Sequence, residues 1–224
     1  MPAHLWTPEG GTGPGLVLFQ EIFGITRYIR RRAQDLADAG YVVLAPEIYW
    51  RLDELGPFPF TPIEPAMETM AKLDRGAAVI DGASAVEHLR GLDEVTAGTG
   101  VIGFCFGGGL AFTVAAYLEA AEGGGQAVDV MVDFYGSALR ELVDTMTVEA
   151  PSLHHFGLAD SYIDAESVRR VEAAVTRQPA TTFHTYEGAD HAFDNPDGPL
   201  HHPEASRLAW CRTAEWLGEH LPTR

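Results

Sequence analysis

Short apolar runs alternate with longer stretches of helical periodicity along this chain. "GLVLFQ" (15–20) is a continuous apolar run of strand length, ending at Glu21 and the turn-like "IFGIT". From Arg27 to Ala39, apolar Ile29, Ala33, Leu36 and Ala37 recur at helical spacing, and Gly40 closes the segment. "YVVLA" (41–45) reads as the next strand, stopped by Pro46. Residues 51–66 hold four of the fourteen prolines, which predicts a loop or lid, with the strand–helix rhythm resuming afterwards. A helix is expected over much of 66–90, a strand at 100–104 and a helix at 107–121. Further strands are expected at 127–136, 150–157 and 180–188, with helices near 164–177 and 204–219. There is no internal repeat, and the only low-complexity tract is "GGG" at 123–125.

Strands separated by helices imply an α/β fold: a mostly parallel sheet with helices on both faces and right-handed crossovers. Working residues in such sheets gather outside the carboxyl ends of the strands. That rule says where to look.

Composition narrows the picture. With 224 residues, 46% of them hydrophobic, residues 1–224 suit a single domain that can bury its own core. The net charge of −17 argues against nucleic acid and anionic membranes as partners. The start, "MPAHLWTPEGGTGPG", lacks a basic region followed by an apolar core, so no signal peptide is expected. No apolar run approaches the ~20 residues needed to span a bilayer. A cytoplasmic, reducing setting is the expectation. Cys105 and Cys211 are too few for a disulfide framework. Cys211, in a helix with Leu208, Trp210 and Leu217, reads as core packing.

The other cysteine stands in "GVIGFCFGGGL" (100–110) as G-x-C-x-G, the cysteine version of a nucleophile elbow. A strand reverses sharply into a helix there, lifting the central side chain above the sheet. The flanking positions need glycine because a Cβ would collide across so tight a turn. The N–H groups at the helix start favour a thiolate and a developing oxyanion alike. Two other readings compete: an inert buried cysteine and a phosphate cradle. G-x-G-x-x-G and a Walker lysine are absent, which weakens the second.

An elbow nucleophile needs a histidine to manage its proton and a carboxylate to orient that histidine, in the chain order nucleophile, acid, histidine. "HHFGLADSYI" places Asp160 just past one predicted strand, and "YEGADHAFDNP" places His191 just past the next. Both fall on the rim that carries Cys105. Asp190 and Asp194 flank His191, but a sequence neighbour rarely faces the same ring edge, so Asp160 is preferred. Asp129 and Asp133, in or beside a strand, read as structural. His154 and His155 point to opposite faces of a strand and cannot share one metal. His201 and His202 sit in a proline-flanked loop. With no H-E-x-x-H or C-x-x-C, no metal site is expected.

Taken together, "QEIFGITRYIRRRAQDLADAGYVVLAPEIYWR", "GFCFGG", "GLADSYI", "GADHAFDNP" and "AWCRTAEWL" resemble the dienelactone hydrolase family of α/β-hydrolases, from about residue 15 to about 218. The resemblance implies an α/β-hydrolase fold, hydrolysis of esters or lactones with cysteine as nucleophile, and no cofactor. It matches Cys105, Asp160 and His191 to the family's catalytic triad. It matches Glu21 to a glutamate that pairs with the resting thiol and yields when substrate binds. The backbone N–H groups of Ile22 and Phe106 would form the oxyanion hole, each donor typically worth ~2.7–4 kcal/mol of barrier. Four residues past the histidine, where dienelactone-cleaving members carry a carboxylate-binding arginine, stands Asn195. Arg51, Lys72 and Arg75 are cations in the neighbouring segment, and Arg51 and Arg75 join Asn195 as candidate substrate contacts. An uncharged substrate, or one charged elsewhere, is thereby allowed.

The expected partner is a small ester or lactone, handled by a monomer as the default state. A broad carboxylesterase or thioesterase on the same fold is the alternative. A non-catalytic binding or redox-sensing protein that retains the elbow is a third reading, since an exposed low-pKa cysteine is what oxidants attack. The aromatics of "YWRLDELGPFPF" (49–60) either wall an apolar pocket or simply pack the loop.

Overall fold

The computed structural model describes residues 1–120 and 126–223; the "GGG" tract lies outside the described residues. Its centre is a seven-stranded sheet in the order β1-β3-β2-β4-β5-β6-β7. The strands are β1 (Ala3–Trp6), β2 (Gly13–Phe19), β3 (Val42–Pro46), β4 (Val95–Phe104), β5 (Val130–Phe134), β6 (Ser152–Gly157) and β7 (Thr181–Tyr186). All neighbours pair in parallel except β1, which lies antiparallel on β3. The carboxyl ends of β2 to β7 therefore share one edge.

Helices α1 (Arg27–Asp38), α2 (Glu64–Ala71), α3 (Arg75–Arg90), α4 (Phe106–Ala120), α5 (Leu139–Leu142), α6 (Ala165–Val175) and α7 (Pro203–His220) connect the strands. Two apolar clusters form, one on each face of the sheet. One joins Leu16, Leu18, Ile102 and Val132 to Ile29 and Leu36 of α1 and Leu217 of α7. The other joins Val17, Val101 and Met131 to Val86 of α3, Val114 of α4 and Val171 of α6. Alternating residues of each central strand feed opposite clusters, so β2 is buried along its whole length and reads as a continuous apolar run.

Several expectations need correction. The helix expected over 66–90 is two helices: Asp74 is the N-cap of α3, its side chain accepting from Ala77 N–H, and α2 ends before it. The edge strand β1 and the one-turn α5 were not anticipated. Cys211 is exposed rather than in the core. The buried face of α7 runs through Ala205, Ala209, Thr213, Trp216 and Leu217, and position 211 falls off that stripe.

Candidate active site

Cys105 occupies the single position between the end of β4 and the start of α4, with φ of 55°. That left-handed conformation strains a residue with a Cβ. The turn persists because its surroundings over-determine it. Cys105 N–H continues the ladder to Phe134 O at 2.9 Å, while Cys105 O accepts from Gly108 N–H at 3.0 Å to open the helix. A Cβ on Gly103 would stand 1.9 Å from Gly107 O, and one on Gly107 would stand 2.3 Å from Phe19 O. Both glycines of the G-x-C-x-G signature are thus demanded by backbone meeting backbone.

His191 follows β7, and its ring lies between the sulfur and a carboxylate. Nε2 is 3.0 Å from Cys105 Sγ, and Nδ1 is 2.8 Å from Asp160 Oδ2. Asp160 follows β6; its other oxygen accepts from the N–H groups of Tyr162 and Ile163, both at 2.8 Å, which fixes the carboxylate plane. The rings of Tyr135 and Tyr162 flank His191 at 5.4 and 5.0 Å between centroids. Burial works against a charged His191 ring. The neighbouring Cys105 sulfur and the Asp160 carboxylate outweigh it, and the ring's pKa stands well above the ordinary 6.5.

The two flanking aspartates are engaged elsewhere. Asp190 Oδ1 accepts from the backbone N–H of both His191 and Ser161 at 2.6 Å, tying the loop of Asp160 to the loop of His191. Asp194 is fully buried and accepts from Tyr28, Arg32, Ser206 and Trp210. It locks the histidine-bearing loop to α1 and α7. Neither approaches the His191 ring edge that Asp160 holds.

Glu21, just past β2, is completely buried rather than on a solvated rim. Asn195 Nδ2 donates to its Oε2 at 2.8 Å, while Oε1 has no partner among the described residues. Burial drives its pKa from 4.5 to about 7, against the pull of the Asn195 hydrogen bond and the His191 charge. The sulfur of Cys105 is hydrogen-bonded to His191, so in this conformation the expected pairing of Glu21 with the thiol is replaced by pairing with Asn195.

The N–H groups of Ile22 and Phe106 donate to no group among the described residues, and both residues line the cavity that Cys105 lines. Tyr49, which sequence reasoning passed over, organises this corner. Its hydroxyl donates to Ile22 O at 3.0 Å and its ring stacks on Phe106 at 6.3 Å. Only the aromatic composition of 49–60 hinted at it.

Cys105, His191, Glu21 and Asn195 open onto a trough of about 1470 Å³. Arg75 lines it, but Arg51 does not: its guanidinium pairs with Asp81 and lies over Trp50, 4.2 Å from the ring centroid. Arg51 is thereby set aside as a substrate contact. Lys72 also lies outside the lining. Phe60 walls the trough and meets Phe23 at 4.6 Å, whereas Phe58 packs on Tyr49 at 6.4 Å, so the aromatic loop does both things foreseen for it.

His154 and His155 do face opposite sides of β6, bonded to Asp133 at 3.2 Å and to Tyr186 at 2.7 Å. No cluster among the described residues could hold a metal ion. No helix among them is long and apolar enough to cross a membrane.

Parallel strands that carry a strained cysteine, a carboxylate and a histidine to one rim, in that chain order, have the architecture of the α/β-hydrolases. The chain belongs to the dienelactone hydrolase family, whose family model matches residues 1–221, and it is a carboxylic ester hydrolase. It is 34% identical to a carboxymethylenebutenolidase of Pseudomonas sp. (strain P51), over 98% of this chain and 90% of that protein. It is 32% identical to carboxymethylenebutenolidase 1 of Cupriavidus pinatubonensis (strain JMP 134 / LMG 1197), over 96% of this chain and 90% of that one. In fold it is similar to the dienelactone hydrolase-like promiscuous phosphotriesterase P91 from metagenomic libraries. That likeness has a TM-score of 0.77 at 23% identity, over 98% of this chain and 92% of that one.

Proposed function

We propose that the protein hydrolyses uncharged esters or lactones through a Cys105–His191–Asp160 triad and an acyl-enzyme intermediate. The observation that carries this reading is the His191 ring, 3.0 Å from the sulfur on one side and 2.8 Å from the Asp160 carboxylate on the other. The Cys105 sulfur and the Asp160 carboxylate favour a proton on the His191 ring against the effect of burial, which supports the ring as the group that takes the thiol's proton. The thiolate attacks the substrate carbonyl, and the N–H groups of Ile22 and Phe106 take the oxyanion. As the C–S bond forms, the sulfur loses the charge that had helped to hold the ring's proton. Burial then favours neutral imidazole, and the proton passes to the leaving alkoxide. Neutral His191, oriented by Asp160, next removes a proton from water. The resulting hydroxide attacks the thioester, and collapse releases the acid and restores the thiol pair.

The relatives named carboxymethylenebutenolidase carry a carboxymethylene-substituted butenolide in their name. In this chain the buried Glu21, which lines the same cavity as Cys105, is an acid held by a neutral amide, not by a cation. A substrate carboxylate placed there would meet Glu21, so an uncharged acyl part fits better. A reducing cytoplasmic setting, which keeps Cys105 a thiol, suits this chemistry.

The test is intact-protein mass spectrometry during turnover of an activated aryl ester, together with stopped-flow release of the phenol. A burst and an acyl adduct on Cys105 are expected. An unchanged steady rate in Cys105→Ala would overturn the assignment.

A further inference from the structure

The trough is larger than a small lactone requires, since pockets for drug-sized ligands commonly measure ~300–1,000 Å³. Its floor is one face of α4. From Phe106, beside the sulfur, the lining passes through Gly109, Thr113 and Ala116 to Ala120. These positions recur every three or four residues, and the face they make extends about 21 Å. No charged side chain interrupts it: Leu110 and Tyr117 complete the stripe.

The facing walls are largely apolar, with the charged Glu64, Arg75, Arg140 and Glu141 set among them. Met67 and Met70 come from α2, Val79 and Ile80 from α3, and Leu142 and Met146 from the segment around α5. Of the nine large apolar side chains that stand exposed among the described residues, five (Met67, Ile80, Tyr117, Met146 and Tyr162) line this one trough. Exposed apolar surface so concentrated marks a binding surface. It is continuous with Cys105 and His191, which identifies its occupant as part of the molecule being cleaved.

We infer that the trough along α4 is a subsite for an extended, uncharged hydrocarbon chain of the ester. The enzyme therefore favours medium- and long-chain esters over acetates and small lactones. This inference rests on the proposed esterase chemistry.

Two ester series test it, each used below its micelle-forming concentration. One runs over p-nitrophenyl acylates from acetate to dodecanoate, the other over alkyl acetates of the same range of chain lengths. In at least one series kcat/KM is expected to climb with length, by up to about fourfold per methylene. The variants Ile80→Asp and Tyr117→Asp alter exposed positions and are expected to stay folded. Each should cut kcat/KM on the decanoate-length ester at least tenfold while leaving the acetate rate within twofold.

An optimum at two to four carbons in both series, with acetate turnover intact, would overturn the inference and leave the esterase reading standing. A chain preference unchanged in both variants would also overturn it. So would a dimer that dissociates on Tyr117→Asp while chain preference persists, because the face would then seat a second copy. No turnover of any ester would remove the esterase reading and this inference together.

Discussion

Asn195 Nδ2 donates to Glu21 Oε2 at 2.8 Å, so the buried carboxyl group that lines the same cavity as Cys105 is held by a neutral amide. An amide offsets the cost of burying a charge far less than a cation would, and this is why Glu21 is pushed up to about 7. The same pairing orients one face of the site and leaves Oε1 free.

The first expected outcome follows from linkage. Glu21 takes its proton near 4.5 when unfolded and near 7 in the folded protein, so between those values the native state binds more protons. Its contribution to stability is complete below pH 4.5 and is lost as pH rises through 7, a span on the order of 3 kcal/mol. In Glu21→Gln the amide oxygen can still accept from Asn195, and this part of the pH dependence should vanish. Urea midpoints of both proteins at pH 5 and pH 8 measure it; identical pH slopes would contradict the assignment.

Asp160→Asn keeps an oxygen for the N–H groups of Tyr162 and Ile163 but turns an N–H toward His191 Nδ1. The ring must then present the wrong tautomer to Cys105. A fall in kcat of roughly 10³–10⁴ is expected, with the thermal midpoint little changed. Activity within tenfold of the parent would show that His191 needs no such orientation.

At Asp194 the expected loss is structural. Removing this carboxylate in Asp194→Ala leaves the largely buried Arg32 guanidinium with only the half-exposed Asp35, takes the carboxylate from Tyr28, and removes the side-chain acceptor of Ser206 and Trp210. Urea denaturation should register a loss of roughly 3–5 kcal/mol. The effect should be matched by neither Asp35→Ala nor Glu87→Ala, whose pairs are exposed on one side.

Two glycines should respond in opposite directions. A Cβ at Gly107 would lie 2.3 and 2.4 Å from the carbonyl oxygens of Phe19 and Gln20, so Gly107→Ala should cost at least about 3 kcal/mol or prevent folding. Gly218, in α7, has nothing within 4 Å of the added atom, and Gly218→Ala should stabilise by about 0.5–1 kcal/mol. Calorimetric midpoints of the pair decide it.

The legible parts of this chain are those where local pattern and tertiary fate coincide. Apolar runs at β2, β3 and β5 and the helical spacing of α1 announce themselves because each element is buried on the side its period dictates. Where an element is short or half-exposed the pattern weakens. Strand β1 is four residues of alternating exposure on the sheet edge, and it was missed. Cys211 was misplaced because an apolar neighbourhood in sequence does not say which side of a helix a residue occupies.

What the linear order of residues determined by itself was the elbow and the succession of Cys105, Asp160 and His191 past three strand ends. Those depend on glycine sterics and on the rule that parallel strands share an edge. The tertiary structure alone decided how the surrounding groups are used. Burial, which comes from chain segments distant in sequence, made Glu21 an acid near neutrality. Loop packing gave Asp190 to the backbone and Asp194 to Arg32, and Tyr49 to the corner at Ile22 and Phe106. The facing of α2, α3 and α4 opened an apolar trough from the sulfur outward. Solvation and contact are properties of neighbours in space, and no local stretch of sequence contains them.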